Sequence, residues 1–203
     1  MRSRRRLDVP VLPPEISLFP DNLFAEPATV KAGGRYWWVL HSKPRQEKSI
    51  ARALVSDAIP FYLPLVAQRK KTRDRVICSQ IPLFPGYVFL FGTREERTIS
   101  LATNRIAKVL EVAKQEELWR DLTQVHRLID TGVPIRPEGR LVVGTPIEIT
   151  SGPLAGLKGT ILKDGSRRRF LVQVDFLHQG ASVLLDDFYL TPIGIAPQTS
   201  CPR

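Results

Sequence analysis

The chain has 203 residues, of which 43% are hydrophobic, enough for one or two folded domains and too many for a chain disordered throughout. No apolar run approaches the roughly 18–20 residues that a membrane span needs, and no apolar stretch follows the N-terminal arginines as in a secretory signal. The two cysteines, Cys78 and Cys201, are too far apart for a disulfide scaffold or a zinc site, which favours a cytoplasmic protein.

The net charge of +10 is concentrated in the middle of the chain. Residues 35–133 hold 17 Lys/Arg and 10 Asp/Glu, a net +7, while residues 1–34 carry +1 and residues 134–203 carry +2. A basic domain favours polyanions, or an acidic protein that works near nucleic acid. Because many basic proteins are merely soluble, charge alone does not choose between these explanations.

Residues 1–34 are rich in proline and show no sustained period, so we expect a mostly disordered basic leader. Both a solvated tail and an arm that touches nucleic acid fit the charge run at Arg4–Arg6. Five apolar residues are the exception, because they can dock on a folded surface: Ile16, Leu18, Phe19, Leu23 and Phe24.

From residue 35 the hydrophobic period changes repeatedly between that of a strand and that of a helix. Strands are expected at Arg35–Ser42, Pro60–Leu63, Leu65–Gln68, Val76–Ile81, Tyr87 to about Phe91, and Ile106–Val112. Helices are expected at Lys43–Asp57 with Pro44 in the first turn, at Thr93–Thr103 with a capping box to Glu96, and at Gln115–Asp130. This order predicts an α+β domain over residues 35–131, with helices packed on a mainly antiparallel sheet.

Two stretches of this domain have unusual composition. Arg69–Arg75, RKKTRDR, has alternating hydrophobicity on both sides, which predicts a basic hairpin tip or crossing loop that either contacts phosphates or is solvated. Ile81–Leu90, IPLFPGYVFL, places Phe84 and Tyr87 around a Pro-Gly turn and then continues as a strand. On its own this second stretch predicts a buried strand preceded by a sharp corner.

The C-terminal third changes character. We expect a linker at residues 132–140, a small β-barrel at residues 141–193 and a loose tail at residues 194–203. The barrel strands are predicted at Ile147–Ile149, Thr160–Lys163, Phe170–Leu177, Ala181–Leu185 and Phe188–Thr191. Closure into a barrel is favoured because it leaves few strand edges exposed.

Residues arranged for catalysis are not found in the sequence. There is no HExxH motif, the three histidines are far apart, and Ser151–Thr160 lacks the glycine that a phosphate loop needs before its lysine. We therefore expect no enzyme, no metal site and no cofactor.

Four motifs carry a resemblance to a known family. Ser151–Gly159, SGPLAGLKG, resembles a KOW motif, the strand–turn–strand signature of small SH3-like barrels. In the N-terminal half, RYWWVLHSKPRQE from Arg35, YLP at Tyr62–Pro64 and PLFPGYVF at Pro82–Phe89 resemble the NusG amino-terminal domain in order and spacing. The resemblance covers about residues 35–193 and implies a transcription elongation and antitermination factor that binds RNA polymerase and suppresses pausing and termination.

The resemblance also implies a set of site residues. Those matching the concavity that grips the polymerase clamp helices are Trp37, Phe84, Pro85 and Tyr87, with Lys43 and Arg45 placed to pair with acids. Those matching a hairpin that approaches the channel gate or the upstream DNA fork are Arg69, Lys70, Lys71, Arg73 and Arg75. Those matching the barrel surface that recruits Rho or a small-subunit ribosomal protein are Phe176, Leu177 and His178.

Some features depart from the general members of the family. The chain has NRIAKVL at Asn104–Leu110 where those members carry a Gly-Phe-Val type segment, and the 34-residue leader is unusual. These departures resemble a specialised paralogue of the RfaH group, and we expect a monomer. The alternative is a ribosome-associated protein that binds RNA through its KOW barrel, for which Arg167–Arg169 is the one basic cluster in the barrel segment.

Overall fold

A computed structural model describes residues 15–25, 34–72, 75–138, 145–164, 167–184 and 190–192. These residues form three α-helices, α1 Glu47–Ser56, α2 Arg94–Ala102 and α3 Gln115–Asp130, and a 3-10 turn at Asp175–Leu177. Their strands are β1 Leu18–Phe19, β2 Tyr36–Ser42, β3 Phe61–Tyr62, β4 Leu65–Thr72, β5 Arg75–Pro82, β6 Tyr87–Gly92, β7 Ile106–Glu111, β8 Arg136–Glu138, β9 Thr145–Ile149, β10 Lys158–Asp164, β11 Arg167–Val174, β12 Gln179–Leu184 and β13 Leu190–Pro192. The predicted α+β class is confirmed.

The N-terminal half is built on a five-stranded antiparallel sheet in the order β1-β3-β6-β2-β7. β2 and β6 lie side by side at its centre, with the register running from Tyr36 opposite Gly92 to His41 opposite Tyr87. Successive side chains of a strand point to opposite faces, so β2 contributes to two cores. Trp37 lies in the core shared with α3, and Trp38 lies in the core shared with α1.

The three helices follow from their sequence patterns to different extents. α3 begins and ends where its apolar period predicts, at Gln115 and Asp130. α2 has the expected capping box, in which the Thr93 hydroxyl accepts from the backbone N–H of Glu96 and the Glu96 carboxylate accepts from that of Thr93.

The predicted start of α1 at Lys43 is wrong, because the helix begins at Glu47. Arg45 adopts a left-handed conformation with φ of 59°, which a helix does not allow. The backbone N–H of Lys43 instead donates to the carbonyl oxygen of Arg105 at 2.8 Å, and that of Gln46 donates to the Lys43 carbonyl at 3.2 Å. Pro44 therefore lies in a turn before the helix and not in its first turn.

Part of the leader packs on this sheet. Leu18 and Phe19 pair with Tyr62 and Phe61 as an added edge strand, and Leu63 donates its N–H to the Ser17 carbonyl at 2.7 Å. Four of the five apolar residues named in the leader pack against the folded domain, namely Leu18, Phe19, Leu23 and Phe24, whereas Ile16 is exposed. Of residues 1–34, only 15–25 and 34 are among the described residues.

The basic run lies on a separate two-stranded hairpin. β4 and β5 pair without interruption from Leu65 opposite Pro82 to Thr72 opposite Arg75. The strands are therefore longer than the predicted Leu65–Gln68 and Val76–Ile81, and they carry the basic run to the tip of the hairpin. Backbone pairing decides this, since charged residues at the end of a hairpin still complete the ladder.

The C-terminal third forms a six-stranded antiparallel sheet in the order β13-β9-β10-β11-β12-β8, which we call the barrel. Gly159 permits the close pairing of β10 with β11, because a Cβ at this position would collide with the carbonyl oxygen of Leu171. The predicted strand Phe170–Leu177 ends at Val174 and turns through Asp175–Leu177. The last strand is described at Leu190–Pro192, and residues 185–189, which hold the start of the predicted Phe188–Thr191, lie outside the description.

The linker predicted at residues 132–140 contains a strand that the sequence pattern did not indicate. Arg136, Pro137 and Glu138 pair with β12, and the Ser182 hydroxyl donates to the Glu138 carboxylate at 2.6 Å. Three residues with two charges and a proline have no strand period of their own. Pairing with an available sheet edge supplies the stabilisation that local propensity lacks.

Candidate functional site

The turn at Phe84–Tyr87 is locked in place from two sides. Gly86 has φ of 86°, a conformation that suits glycine, and its N–H donates to the carboxylate of Glu47 at 2.8 Å. Its carbonyl oxygen accepts from the N–H of Ser42 at 2.8 Å. The turn is therefore tied both to the end of β2 and to the first turn of α1.

Five residues in or near this turn in the fold are exposed or half-buried, and we call them the corner surface: His41, Lys43, Arg45, Pro85 and Tyr87. Tyr87 is half-buried and its ring lies 5.2 Å from the exposed ring of His41. The Lys43 ammonium donates to the side-chain carbonyl of Asn104 at 2.9 Å. The structure thus brings together four of the six residues that the family resemblance implies, with His41 added.

Trp37 and Phe84 are not on the corner surface. Trp37 is fully buried and lies opposite Phe91 in the register, four residues along β2 from His41. Phe84 is 1% exposed, and its ring packs edge-on against Phe89 at 6.2 Å between centroids. In this conformation neither ring presents a face to solvent.

Trp37 is held at its backbone and covered at its ring. The Gln115 amide bridges the Trp37 backbone, accepting from its N–H at 2.6 Å and donating to its carbonyl oxygen at 3.0 Å. Phe24 of the leader stacks on the Trp37 ring with centroids 5.9 Å apart and planes 9° apart. The same Phe24 ring lies edge-on to Tyr62 at 5.0 Å and 5.2 Å from His126.

Tyr62 is buried beneath the leader, and its hydroxyl has no hydrogen-bond partner among the described residues. Burial raises the pKa of Tyr62 well above its ordinary value, and the nearby Asp130 charge raises it further. Tyr62 is therefore neutral and acts as a packing residue at physiological pH.

The implied nucleic-acid residues are placed by their backbone only. Arg69, Lys70, Lys71 and Arg75 lie on the two strands at the outer end of the β4–β5 hairpin. Arg73 lies outside the described residues. The hairpin thus keeps four of these five positions together at one end.

The implied partner surface of the barrel lies beside α3. Phe176 and Leu177 are half-buried and pack against the apolar core that contains α3. His178 is exposed, has φ of 51° and closes the 3-10 turn by donating its N–H to the Asp175 carbonyl at 3.1 Å.

The barrel's basic cluster is partly internal. Arg169 is 8% exposed, and its guanidinium donates to the Ser182 hydroxyl at 2.8 Å and to the Ser182 carbonyl at 3.1 Å. Its Nε lies 3.9 Å from the Glu138 carboxylate, which also accepts from Ser182. Arg169 therefore joins β11, β12 and β8 and is not free to bind phosphate.

Sequence reasoning missed two residues of the corner. His41 was recoverable, since strict alternation puts it on the same face of β2 as Trp37 and Val39. For Glu47 the sequence offers only a weak indication, because an acid in the first turn of a helix is common and does not predict a distant partner. Its bond to Gly86 joins residues 39 positions apart and depends on how α1 packs.

Other classes of site find no support in the described part of the chain. Its helices include none with the length and apolar character that crossing a membrane requires. Within the same residues, no three or more His, Cys, Asp or Glu side chains cluster in a way that would hold a metal ion.

Comparison with known proteins identifies the N-terminal half. A family model described as "Transcription termination factor nusG" matches residues 35–136. No curated protein matches the chain. The matched region spans β2 to the start of β8 and includes every residue of the corner surface.

Proposed function

We propose a specific function from one premise: the chain belongs to the NusG family of transcription termination and antitermination factors. Within that role, we infer that it binds RNA polymerase during elongation through the corner surface and suppresses pausing and termination. The locked Phe84–Tyr87 turn is the observation that carries the proposal. Two hydrogen bonds to Gly86 hold an exposed proline and a half-buried tyrosine in one arrangement before any partner binds.

The corner surface has the chemistry of a protein-binding site. Pro85 and Tyr87 supply apolar contact area, and Lys43 and Arg45 stand at the rim as exposed cations. Aromatic residues in such centres carry most of the binding energy, while rim charges mainly govern association rate and specificity. A helical hairpin with an apolar face and acidic flanks, such as the clamp helices of the polymerase largest subunit, fits this arrangement.

In the proposed binding of polymerase, Trp37 and Phe84 contribute indirectly. Because both rings are buried, they stabilise β2 and the turn that carry the corner surface. Direct contact by Trp37 would require Phe24 to move from its face.

The proposed mechanism is a population shift. A factor that grips the clamp and reaches across the cleft favours the closed, elongating polymerase over the opened, paused state. It shifts this equilibrium only by its difference in affinity for the two states. The basic hairpin tip, with Arg69, Lys70, Lys71, Arg73 and Arg75, is the element we propose for contact with DNA at the upstream fork. The barrel is the element we propose for recruiting Rho or a small-subunit ribosomal protein.

The affinity for RNA polymerase, measured for two matched tyrosine variants, tests this proposal. Tyr87→Ala removes the aromatic centre, whereas Tyr36→Ala removes a 40% exposed tyrosine from the other end of β2. We expect Tyr87→Ala to lose about 2 kcal/mol of binding, roughly a 30-fold weaker affinity, and to restore pausing on a pause template. Tyr36→Ala should bind as the unaltered chain does. Failure of the unaltered chain to bind polymerase, or equal binding by Tyr87→Ala, would contradict the proposal.

We also propose that the protein serves particular operons, as the RfaH-like features of its sequence suggest. The control experiment compares transcription through several unrelated templates. Antitermination that depends on one upstream DNA element supports a specialised role, and equal effects on all templates contradict it.

A further inference from the structure

One side of α3 contacts the backbone of the barrel through three polar side chains. The Asp121 carboxylate accepts from the N–H of Asp175 at 3.1 Å, and the Gln124 amide oxygen accepts from the N–H of Lys158 at 2.8 Å. The Arg127 guanidinium donates to the carbonyl oxygen of Ala155 at 2.9 Å. These side chains are spaced three residues apart, so they form a neighbouring row on the helix surface, which we call the α3 polar row.

The barrel groups that meet the α3 polar row depend on folded local structure. The Ala155 carbonyl lies in a tight turn whose next residue, Gly156, has φ of 79° and donates its N–H to the Ile149 carbonyl at 2.7 Å. A Cβ at Gly156 would lie 3.3 Å from the Arg127 guanidinium, which is tighter than most such contacts. Lys158 begins β10, and Asp175 begins the 3-10 turn. The row therefore matches the barrel only when its turns and strands have formed.

Apolar packing also joins the N-terminal sheet, α3 and the barrel. A single buried cluster includes Trp37 and Phe89 of the N-terminal sheet, Leu122 of α3, and Phe170 and Val172 of β11. α3 makes contacts with both β2 and β11. The helix thus shares one core with the sheet on one side and with the barrel on the other.

The chain between α3 and the barrel is also short. The helix ends at Asp130 and β8 begins at Arg136. Glu138 of β8 is joined to the barrel through Ser182 and Arg169. So short a connection raises the effective concentration of the barrel beside α3, which favours docking over separation.

We propose that the α3 polar row is a docking site for the folded barrel, and that barrel and N-terminal domain move as one body. The consequence for function rests on the proposed function: Phe176, Leu177 and His178 are held at a fixed place relative to the corner surface. The barrel is then carried beside the polymerase in one orientation and not at the end of a flexible tether.

Nuclear spin relaxation of the full chain at pH 6 tests the docking directly. Amide groups of β2, β6 and β7 and those of β10, β11 and β12 report the rotational correlation times of the two halves. We expect one common correlation time for both sets. A shorter time for the barrel amides in the unaltered chain would overturn the proposal.

A double variant tests whether the polar row is responsible. Gln124→Ala with Arg127→Ala removes two of the three side-chain contacts, and Glu116→Ala changes an exposed position in the first turn of the same helix. We expect the barrel's correlation time to fall below that of the N-terminal half in the double variant only. Persistence of one common time in the double variant would overturn the assignment to this row.

Two features keep this test decisive. If the double variant fails to fold, the correlation times of the unaltered chain still support or overturn the docking. Polymerase is absent from the measurement, so a failure of docking leaves polymerase binding untouched. Conversely, a chain that tumbles as one body but does not bind polymerase would contradict the proposed function alone.

Discussion

The carboxylate of Glu47 accepts a 2.8 Å hydrogen bond from the backbone N–H of Gly86, which joins the first turn of α1 to the Pro-Gly turn 39 residues further along the chain. Glu47 is 8% exposed, so this bond lies in a region largely shielded from water. A charge-assisted hydrogen bond of this kind is stronger than a neutral one, and its loss leaves a partly buried N–H without a partner.

Glu47→Ala should therefore destabilise the chain by about 1.5–3 kcal/mol in urea denaturation. Glu47→Gln keeps an acceptor and should cost less. Glu111→Ala, an exposed acid at the end of β7, serves as the control and should stay within about 0.5 kcal/mol. If Glu47→Ala is as stable as the control, Glu47 does not lock the turn.

Phe24→Ala should loosen the leader segment. The substitution removes the ring that contacts Trp37, Tyr62 and His126, and truncating a half-buried phenylalanine should cost about 2 kcal/mol, less than in a full core. Hydrogen exchange of the Leu63 amide, which donates to the Ser17 carbonyl, should accelerate.

Ile16→Ala is the matched control in the same segment, because Ile16 is 47% exposed. Its Leu63 amide should exchange at the rate of the unaltered chain. Equal exchange in the Phe24→Ala variant would show that the aromatic contact does not hold the leader on the sheet.

The contact between α3 and the barrel should depend on pH through Asp121. Burial raises the pKa of Asp121 from 3.8 to about 7, and the negative charges of Asp175 and Glu117 act in the same direction. The hydrogen bond from the Asp175 N–H and the Arg120 charge oppose the rise. Lys158 lies in the same groove between α3 and the barrel.

The direction of the pH dependence of docking follows from proton linkage. The docked form binds the Asp121 proton more tightly than an exposed carboxyl does, so the contribution to docking is fully present below pH 3.8 and is lost as the pH rises through about 7. We expect docking to weaken as the pH rises from about 4 to about 7, so the correlation times of the two halves should move apart towards pH 7 and change little above it. Asp121→Asn keeps an acceptor for Asp175 and should abolish this change, whereas Glu116→Gln should preserve it. A contact insensitive to pH in the unaltered chain would contradict the role of Asp121.

Arg169→Ala should weaken the barrel and leave RNA binding unchanged. The guanidinium is bound to Ser182 and lies near Glu138, so its removal should cost about 1.5–3 kcal/mol of stability and speed amide exchange in β8. Arg168→Ala, at an exposed position, should be nearly neutral for stability.

Fluorescence titration with RNA at two salt concentrations completes this comparison. If Arg169→Ala reduces RNA affinity and its salt dependence while the fold stays intact, the ribosome-associated alternative gains support over the internal role described here.

Several parts of the molecule were predictable because they depend on neighbours in sequence. The apolar period of Gln115–Asp130 and the capping box at Thr93 are local patterns, and the structure contains both as expected. The order of strands and helices in the N-terminal half has the same origin. For these features the hydrophobic period and the backbone preference agree with the final fold.

Local pattern was a weaker guide to the candidate site. It identified the sharp corner at Phe84–Tyr87, whereas the assignment of Trp37 and Phe84 to an open concavity came from the family resemblance. Whether an aromatic ring is exposed or covered depends on what packs over it. Here the Trp37 ring is covered by Phe24 and packs in one core with α3, and both come from distant parts of the chain.

The order of residues along the chain was therefore enough to predict the periodic elements, the basic hairpin and the turn that matches the NusG family. Four further features became visible only in the folded chain: Glu47 locks the turn, Phe24 covers Trp37, Arg136–Glu138 completes the barrel sheet and Arg169 is internal. Each of these is a contact between residues far apart in sequence. Such contacts depend on which polar groups and sheet edges remain unpaired once the elements pack, and a local pattern carries no record of that.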